Sequence, residues 1–191
     1  MPGVKKSITR SLNLDMLLLR TQHFVLREFK PDEQDTYVSL YDDERVTAFL
    51  LKRSKIEHEE AFRAALDDYA ASKIITRWGL FNIIDGDYIG SCLLRNFYDH
   101  KGKVELGFSL RQKYWGKGIA SEIGRILIDY GFANTDANEI VAVTMIENLG
   151  SQKVLQKAEM KREDNYISNG IEPAYYTINR GRWKFSRKYD K

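Results

Sequence analysis

A strand, a glycine-rich turn and an amphipathic helix follow one another in the middle of the chain, and this segment constrains the fold most. Residues 103–110 predict the strand, residues 115–118 the turn, and residues 118–133 a helix with one apolar face. The first amide groups of a helix lack partners within it and together carry about half a positive charge. Gly116 and Gly118 allow the backbone to come close to an anion. The segment therefore predicts a binding site for a diphosphate.

Other phosphate-binding motifs match this segment less well. The GxxxxGK[ST] loop is absent, and a GxGxxG dinucleotide fingerprint would need a glycine where the chain has Ser121. A doubly wound sheet that began near residue 103 would have too little chain to complete it. An ordinary glycine turn between a strand and a helix stays open as the alternative for the segment taken alone.

Length and composition exclude several other classes of protein. The chain has 191 residues, of which 43% are apolar, enough for one compact domain with its own core. A net charge of +3 argues against nucleic acid as the main partner. Cys92 is the single cysteine, so no intrachain disulfide or CxxC site can form, and the three histidines lack the spacing of a zinc motif. No metal is predicted, and Cys92 is expected to be a buried thiol on a strand rather than a nucleophile.

The sequence contains no apolar run that approaches the length of a membrane span or of a signal peptide. We therefore expect no membrane contact and a cytoplasmic location. Residues 1–20 carry four basic residues against one acid, a composition that also fits a transit peptide, and we expect them to form a solvated N-terminal extension.

The other segments predict a mixed α/β chain, with a helical insert after the first strand and a meander before the central crossover. Asp85-Gly86 joins two β-rich segments as a hairpin turn, and a second turn near residues 99–102 leads into the third strand of the meander. The predicted strands are residues 24–29, 74–84, 88–96, 103–110, 139–145, 160–167 and 174–179, and the predicted helices are residues 32–41, 43–50, 56–71, 118–133 and 151–158.

Five fragments of the chain resemble the GCN5-related N-acetyltransferase (GNAT) family, and within it the RimJ/RimL-like type that includes ribosomal-protein N-terminal acetyltransferases. Each fragment is modest, but their order and spacing from about Thr21 to Trp183 make the set specific. The fragments are Thr21–Arg27, Tyr88–Ser91, Glu105–Leu110, Tyr114–Ala120 and Glu147–Lys157.

The resemblance implies both a fold and a domain organisation. The fold is α+β, the GNAT fold, with a central, mostly antiparallel twisted sheet of about seven strands and helices on both faces. Residues 21–183 would form a single acetyltransferase domain, preceded by the extension of residues 1–20 and followed by a basic C-terminal tail of residues 184–191.

The implied activity is transfer of an acetyl group from acetyl-CoA, a co-substrate, to a primary amine by direct attack, without a covalent enzyme intermediate or a metal. The amine acceptor is a protein N-terminus or a small-molecule amine, and a small amine of the polyamine or aminoglycoside type is one alternative. Another alternative is that the protein is a non-catalytic acyl-CoA-binding regulatory module. A homodimer stays open. The residues that the resemblance assigns to acetyl-CoA binding are Phe108, Ser109, Leu110, Trp115, Gly116, Lys117, Gly118, Ile119, Ala120, Asn148 and Ser151.

The implied chemistry needs a base and donors for an oxyanion. Glu105 is the candidate general base, acting through water, because it lies on the strand expected to flank the thioester; the alternative is a solvent-facing carboxylate. Backbone amides of Phe108–Leu110 are the candidate oxyanion donors, where this strand is expected to part from its neighbour. The family interrupts the strand with a bulge, with which Gly107 is compatible. Trp115 would pack over the cofactor or fix the start of the helix.

Two departures from the family pattern concern the short helix after the buried strand. Leu155 stands where many members carry a tyrosine that protonates the departing thiolate. Ser151, a second candidate catalytic residue, or Asn148 could donate a hydrogen bond instead, and either could cap the helix. The helix ends in Glu159-Met160 in place of the usual Gly-Phe, so a favourable glycine is missing there.

The acceptor groove of the family lies between the early helices and the final hairpin, which here are residues 42–54 and 166–172. The acidic run of residues 42–44 would attract a cationic amine or form a turn that caps a helix. The basic residues from Arg180 onward would contact ribosomal RNA or form a solvated tail.

Overall fold

The computed structural model describes residues 17–97, 100–164, 167 and 172–183. These residues form one eight-stranded sheet in the order β1-β2-β3-β4-β5-β6-β8-β7. The strands are β1 Leu17–Arg20, β2 Phe24–Arg27, β3 Arg77–Asn82, β4 Tyr88–Asn96, β5 Lys103–Leu110, β6 Glu139–Thr144, β7 Lys161–Glu163 and β8 Ala174–Asn179. The helices are α1 Gln34–Val38, α2 Glu44–Thr47, α3 Lys55–Ala70, α4 Ile119–Asn134 and α5 Leu149–Lys157, with 3-10 turns at Pro31–Glu33, Ser39–Asp42 and Gln112–Tyr114.

Every pair of neighbouring strands is antiparallel except β5 and β6, which run parallel. A parallel pair needs a crossover connection, and α4 supplies it. Helices α4 and α5 cover one face of the sheet, while α1 and α3 pack on the other. The predicted α+β fold, with a mostly antiparallel sheet and helices on both faces, is confirmed.

Amphipathic patterning explains the main core. Ile119, Ile123, Ile126 and Leu127 recur at helical spacing on α4, and all are buried against the sheet. The smaller core on the opposite face is rich in aromatic rings, among them Tyr37 from α1, which meet edge to face or at a tilt.

The sheet has one strand more than the sequence predicted. Leu17–Arg20 forms the edge strand β1, within the segment predicted as an extension, and Leu18 and Leu19 pack against the main core. An edge strand of four residues carries too little pattern to be recognised without its neighbour. Residues 1–16 and the predicted tail of residues 184–191 lie outside the described residues.

The predicted bulge at Gly107 is wrong. Strands β4 and β5 keep an unbroken register from Gly90–Leu110 to Asn96–Val104. The register shifts one strand away, between β3 and β4 next to Gly90. A Cβ at Gly90 would collide with the carbonyl oxygen of Ser109, so the close approach of the two backbones at this point requires glycine.

Two helices end on a left-handed residue that is not glycine. At the end of α5, Glu159 has φ 64°, its N–H bonds to the Gln156 carbonyl at 3.0 Å, and the Met160 N–H bonds to the Leu155 carbonyl at 3.1 Å. Ser72, with φ 55°, occupies the same position after α3. The hydrogen bonds are those of a helix terminated by glycine. A residue other than glycine at this position therefore adds backbone strain but leaves the geometry of the helix end unchanged.

Arg180, which the sequence grouped with the basic tail, is an anchor. Its guanidinium donates hydrogen bonds of 2.6–2.8 Å to the carbonyls of Phe132, Thr135 and Ala137, at and beyond the end of α4. The prediction of a solvated tail is therefore wrong for Arg180, because the last carbonyls of a helix need donors and attract a cation.

Candidate functional site

Strands β5 and β6 form a fork. They pair only from Lys103–Glu139 to Glu105–Val141, and beyond that point β6 continues along β8. From Leu106 onward, no described strand pairs with β5 on the side away from β4. The expected separation of the strand from its neighbour is present, although it arises without a bulge in β5.

Two backbone amides of β5 point into this fork. The hydrogen bonds from the Arg111 N–H to the Ile89 carbonyl (2.8 Å) and from the Phe97 N–H to the Lys103 carbonyl (3.1 Å) fix the phase of the β4–β5 ladder. Because N–H groups alternate between the two sides of a strand, those of Phe108 and Leu110 face away from β4. Ser109 lies between them, and its own N–H faces β4.

The turn before α4 leaves the first amides of the helix open. Gly118 is the N-cap residue with φ 82°, Gly116 has φ 73°, and none of the described side chains caps the helix. Positive φ values of this kind favour glycine. A Cβ added at either glycine would meet nothing within 4 Å, so both glycines border open space beside the start of the helix.

Asp87, in the turn between β3 and β4, holds the segment that leads to these glycines. It accepts a hydrogen bond of 2.6 Å from the Tyr114 hydroxyl and pairs with Lys113 at 2.6 Å and with Arg111 at 3.7 Å. Burial by itself would raise the pKa of Asp87, but these partners hold it below its usual value. Sequence reasoning missed Asp87, because its partners lie across the sheet.

The remaining predicted residues of the turn have distinct environments. The Trp115 indole N–H donates to the Leu110 carbonyl at 2.8 Å, which ties the turn to the end of β5, while the side chain stays 46% exposed. The Lys117 ammonium lies 5.4 Å from the centre of the Tyr114 ring and is exposed. Lys117 is therefore placed to meet an anion in front of the turn.

Glu105 lies where β5 and β6 separate. It is the last residue of β5 that pairs with β6, and its side chain is on the sheet face opposite α4. Both carboxylate oxygens accept hydrogen bonds from Arg95, at 2.8 and 2.9 Å. The residue is only 8% exposed, so the carboxylate is not the solvent-facing one that the sequence left open.

Asn148 and Ser151 begin α5 on the other side of the fork. Asn148 is the N-cap residue, and its side-chain oxygen accepts the Ser151 N–H at 3.0 Å. Ser151 lies in the first turn, partly buried, and does not cap the helix. The helix begins at Leu149, two residues before its predicted start, because the cap is Asn148.

Leu155, at the position where many family members carry a tyrosine, is 2% exposed. The Tyr176 hydroxyl lies beneath α5, where it donates to the Gln152 side chain at 3.1 Å and accepts from Gln156 at 3.3 Å. Cys92 is buried, and burial raises the pKa of its thiol. A buried neutral thiol is a poor nucleophile, in agreement with its expected role.

One residue of the acidic run near the expected acceptor groove is used by the fold. Asp43 caps α2 by accepting the Arg45 N–H at 3.0 Å and also pairs with the Arg45 side chain at 2.9 Å. This outcome favours the helix-capping interpretation for Asp43, while Asp42 and Glu44 are exposed. The second expected boundary of the groove, residues 166–172, lies mostly outside the described residues.

Within the described part of the chain, no group of His, Cys, Asp and Glu side chains could hold a metal ion. The helices described there are too short or too polar to cross a membrane.

Comparisons with known proteins agree with this geometry. The family model described as "Acetyltransferase (GNAT) domain" matches residues 23–161. An uncharacterized N-acetyltransferase, p20 of Bacillus licheniformis, is 27% identical over 150 residues, which cover 78% of this chain and 84% of that protein.

Solved structures share the fold. An acetyltransferase from Agrobacterium tumefaciens superimposes with a TM-score of 0.74 at 17% identity, covering 90% of this chain and 99% of that one. The ribosomal-protein-S5-alanine acetyltransferase of Vibrio fischeri gives a TM-score of 0.70 at 19% identity, covering 87% and 98%. At these identities the likeness establishes the fold alone.

Proposed function

The chain belongs to the acetyltransferase (GNAT) domain family, and from this premise we propose how its own residues transfer an acetyl group from acetyl-CoA to a primary amine. The observation that carries the proposal is the combination of an uncapped helix N-terminus, preceded by two glycines of positive φ, with a fork beside the same strand. The first feature suits a diphosphate and the second an extended thioester arm.

The turn and α4 would hold the diphosphate of acetyl-CoA. We assign this task to the amides of residues 116–120, with Lys117 adding a positive charge. Trp115 supports them by its hydrogen bond to β5. Asn148 and Ser151 flank the arm from α5, which begins just after β6.

The fork would orient the thioester. The Phe108 and Leu110 amides, on either side of Ser109, face the side that β6 leaves uncovered, so they can donate to the oxygen on which negative charge develops. Donors of this kind are fixed before the reaction, because β4 holds β5 in an unbroken ladder.

The amine must be neutral to attack the thioester. An α-amino group has a pKa of about 8, so its deprotonation at neutral pH is inexpensive, whereas a lysine-like amine with a pKa of about 10.4 needs more help. We propose Glu105 as the base, acting through water, because it lies at the apex of the fork with its carboxylate held by Arg95. A thiol with a pKa of about 8.5 is a fair leaving group, and Ser151 would donate a hydrogen bond to it.

Thiol release from acetyl-CoA, measured over a panel of amines and N-terminal peptides, tests the activity. We expect at least one acceptor to accelerate release. A protein that binds CoA but releases no thiol with any amine would instead be the non-catalytic module, the alternative that Leu155 favours. The choice between a protein N-terminus and a small amine, the cytoplasmic location and the homodimer stay predictions.

A further inference from the structure

A cluster of polar side chains lies between β3, β4 and the helices α1 and α3, on the sheet face opposite α4. The ring of His58 stacks on Tyr41 at 3.8 Å, and the Tyr41 and Tyr37 hydroxyls are 3.3 Å apart. The Arg77 guanidinium lies 5.4 Å from the Tyr37 ring. We call these residues the polar cluster: Tyr37, Tyr41, His58, Arg77, Tyr88 and Ser91.

The cation at the centre of the polar cluster has no acid beside it. Arg77 donates a long hydrogen bond of 3.4 Å to the Ser91 hydroxyl, and no carboxylate among the described residues pairs with it. Arg27 and Arg95, also on the sheet, each have a glutamate partner. Partly buried charges usually have a counter-ion, so Arg77 is unusual in this fold.

Two further groups of the polar cluster lack partners. The Nδ1 atom of His58 and the hydroxyl of Tyr88 are buried and have no hydrogen-bond partner among the residues that the structure describes; the two residues are 8% and 3% exposed. Buried polar atoms are nearly always hydrogen-bonded. Burial raises the pKa of Tyr88, so its hydroxyl stays protonated and can donate. Burial also lowers the pKa of His58, which leaves one ring nitrogen as a donor and the other as an acceptor.

Positive charge surrounds these donors. The Arg111 guanidinium, which pairs with Asp87 at 3.7 Å, lies 5.3 Å from the centre of the Tyr88 ring, and the charge of Arg77 also acts on Tyr88. Besides burial, the charges of Arg53 and Arg77 lower the pKa of His58, and those of Glu57 and Asp42 act in the opposite direction. The Glu57 carboxylate is already engaged by Ser54 at the start of α3. An anion is therefore the ligand that suits the polar cluster.

The polar cluster also adjoins the fork. Ser91, which contacts Arg77, pairs across β4 and β5 with Ser109, the residue between the two amides that face the fork. Neighbouring strands are about 4.8 Å apart. An anion bound over Ser91 would thus lie one strand away from the amine that attacks the thioester, close enough for one compact molecule to carry both groups.

We propose, on the basis of the acetyl transfer described above, that the polar cluster binds a carboxylate of the acceptor and that the acceptor is a small amine of the amino acid class. Arg77 supplies the charge, the Tyr88 hydroxyl supplies a donor, and the Nδ1 atom of His58 supplies a second one in the tautomer that carries its proton there; neither atom has a partner among the described residues. The carboxylate fixes the molecule with its amine towards β5. This acceptor class differs from the cationic amines that the acidic run of residues 42–44 suggested.

The test compares free amino acids with the corresponding amino acid amides, which keep the amine and lose the carboxylate. Thiol release from acetyl-CoA gives kcat/KM for both series, and acidic N-terminal peptides form a third. We expect free amino acids to be preferred. Amides that react as well as the acids, or peptides that react where free amino acids do not, would overturn the inference. If no compound of the three series and no plain amine accelerates thiol release, the proposed acetyl transfer itself is refuted.

A second measurement isolates the Tyr88 hydroxyl. Tyr88→Phe removes a group without a partner, so we expect the thermal midpoint to stay or rise, while the preference for acid over amide falls on the order of 10-fold or more. Tyr176→Phe is the matched control, since it removes a buried hydroxyl that is hydrogen-bonded to Gln152 and Gln156. It should lower the midpoint and leave the preference unchanged. Equal loss for acids and amides in Tyr88→Phe would contradict a carboxylate site.

Discussion

Arg95 and Glu105 face each other across β4 and β5, and two hydrogen bonds of 2.8 and 2.9 Å join the guanidinium to the carboxylate. The pair stands where β5 and β6 part, so Arg95 fixes the direction of the carboxylate that we propose as the base. Bidentate pairing restricts the geometry more than a single contact does.

Glu105→Gln should lower kcat/KM, and the loss should grow as the pH falls. Below the pKa of the acceptor amine, most acceptor molecules carry the proton that the base must remove, so the base matters more there. The pH profiles of the two proteins from pH 6 to 9 are the measurement. If the pH profiles of kcat/KM for the two proteins run parallel, Glu105 is not the base.

Gly118→Leu should abolish CoA binding. The side chain would enter the open space beside the start of α4, where we place the diphosphate, and positive φ adds strain of about 1–2 kcal/mol. Gly102→Leu is the control, because Gly102 also has positive φ (80°) and lies in the turn before β5, where a Cβ would meet only the Asn138 side chain. Calorimetry should show loss of CoA binding in Gly118→Leu only; equal affinities in the two variants would refute the diphosphate assignment.

Asp87→Asn should weaken CoA binding without unfolding the protein. The change removes the charge that holds Lys113, Arg111 and the Tyr114 hydroxyl. The turn at residues 115–118 is then less well fixed before binding, so part of the binding free energy of CoA is spent on ordering it. Asp85→Asn serves as the control, since Asp85 accepts only the local Asp87 N–H in the same turn. A Kd for CoA that is the same in both variants would show that the anchor does not act on the site.

Ser151→Ala should lower kcat and leave the thermal midpoint nearly unchanged. Its hydroxyl does not cap α5, so stability should not depend on it. Asn148→Ala removes the cap and should cost about 1 kcal/mol of the free energy of unfolding. Steady-state kinetics and chemical denaturation separate the two effects. An unchanged kcat in Ser151→Ala would show that the Ser151 hydroxyl does not assist departure of the thiolate.

Glu159→Gly and Ser72→Gly should each stabilise the protein by about 0.5–1 kcal/mol. Both residues hold positive φ in helix ends whose hydrogen bonds are already those of a glycine terminus. The two sites are far apart in sequence and end different helices, so the gains should add in the double variant. Glu159→Ala keeps a Cβ and should show no such gain in urea denaturation, which separates relief of strain from loss of the charge.

Much of the site could be predicted because it depends on neighbours in the chain. The strand, the two glycines and the amphipathic helix up to residue 133 lie in one continuous segment, and the glycine dihedrals and helix periodicity are local properties. The same holds for Asn148, whose side chain bonds three residues further on. For these parts, backbone stereochemistry and hydrogen bonds over a few residues suffice.

The tertiary structure decided the rest, because it depends on which strands lie side by side. The sequence did not identify β1 as a strand, placed the bulge on β5 instead of next to Gly90, and gave no partner for Glu105 or Asp87. The polar cluster joins α1, α3, β3 and β4, and its charge balance exists only once they pack. The sequence thus determined where a diphosphate could be held, and the packing of distant strands and helices determined what can reach the thioester.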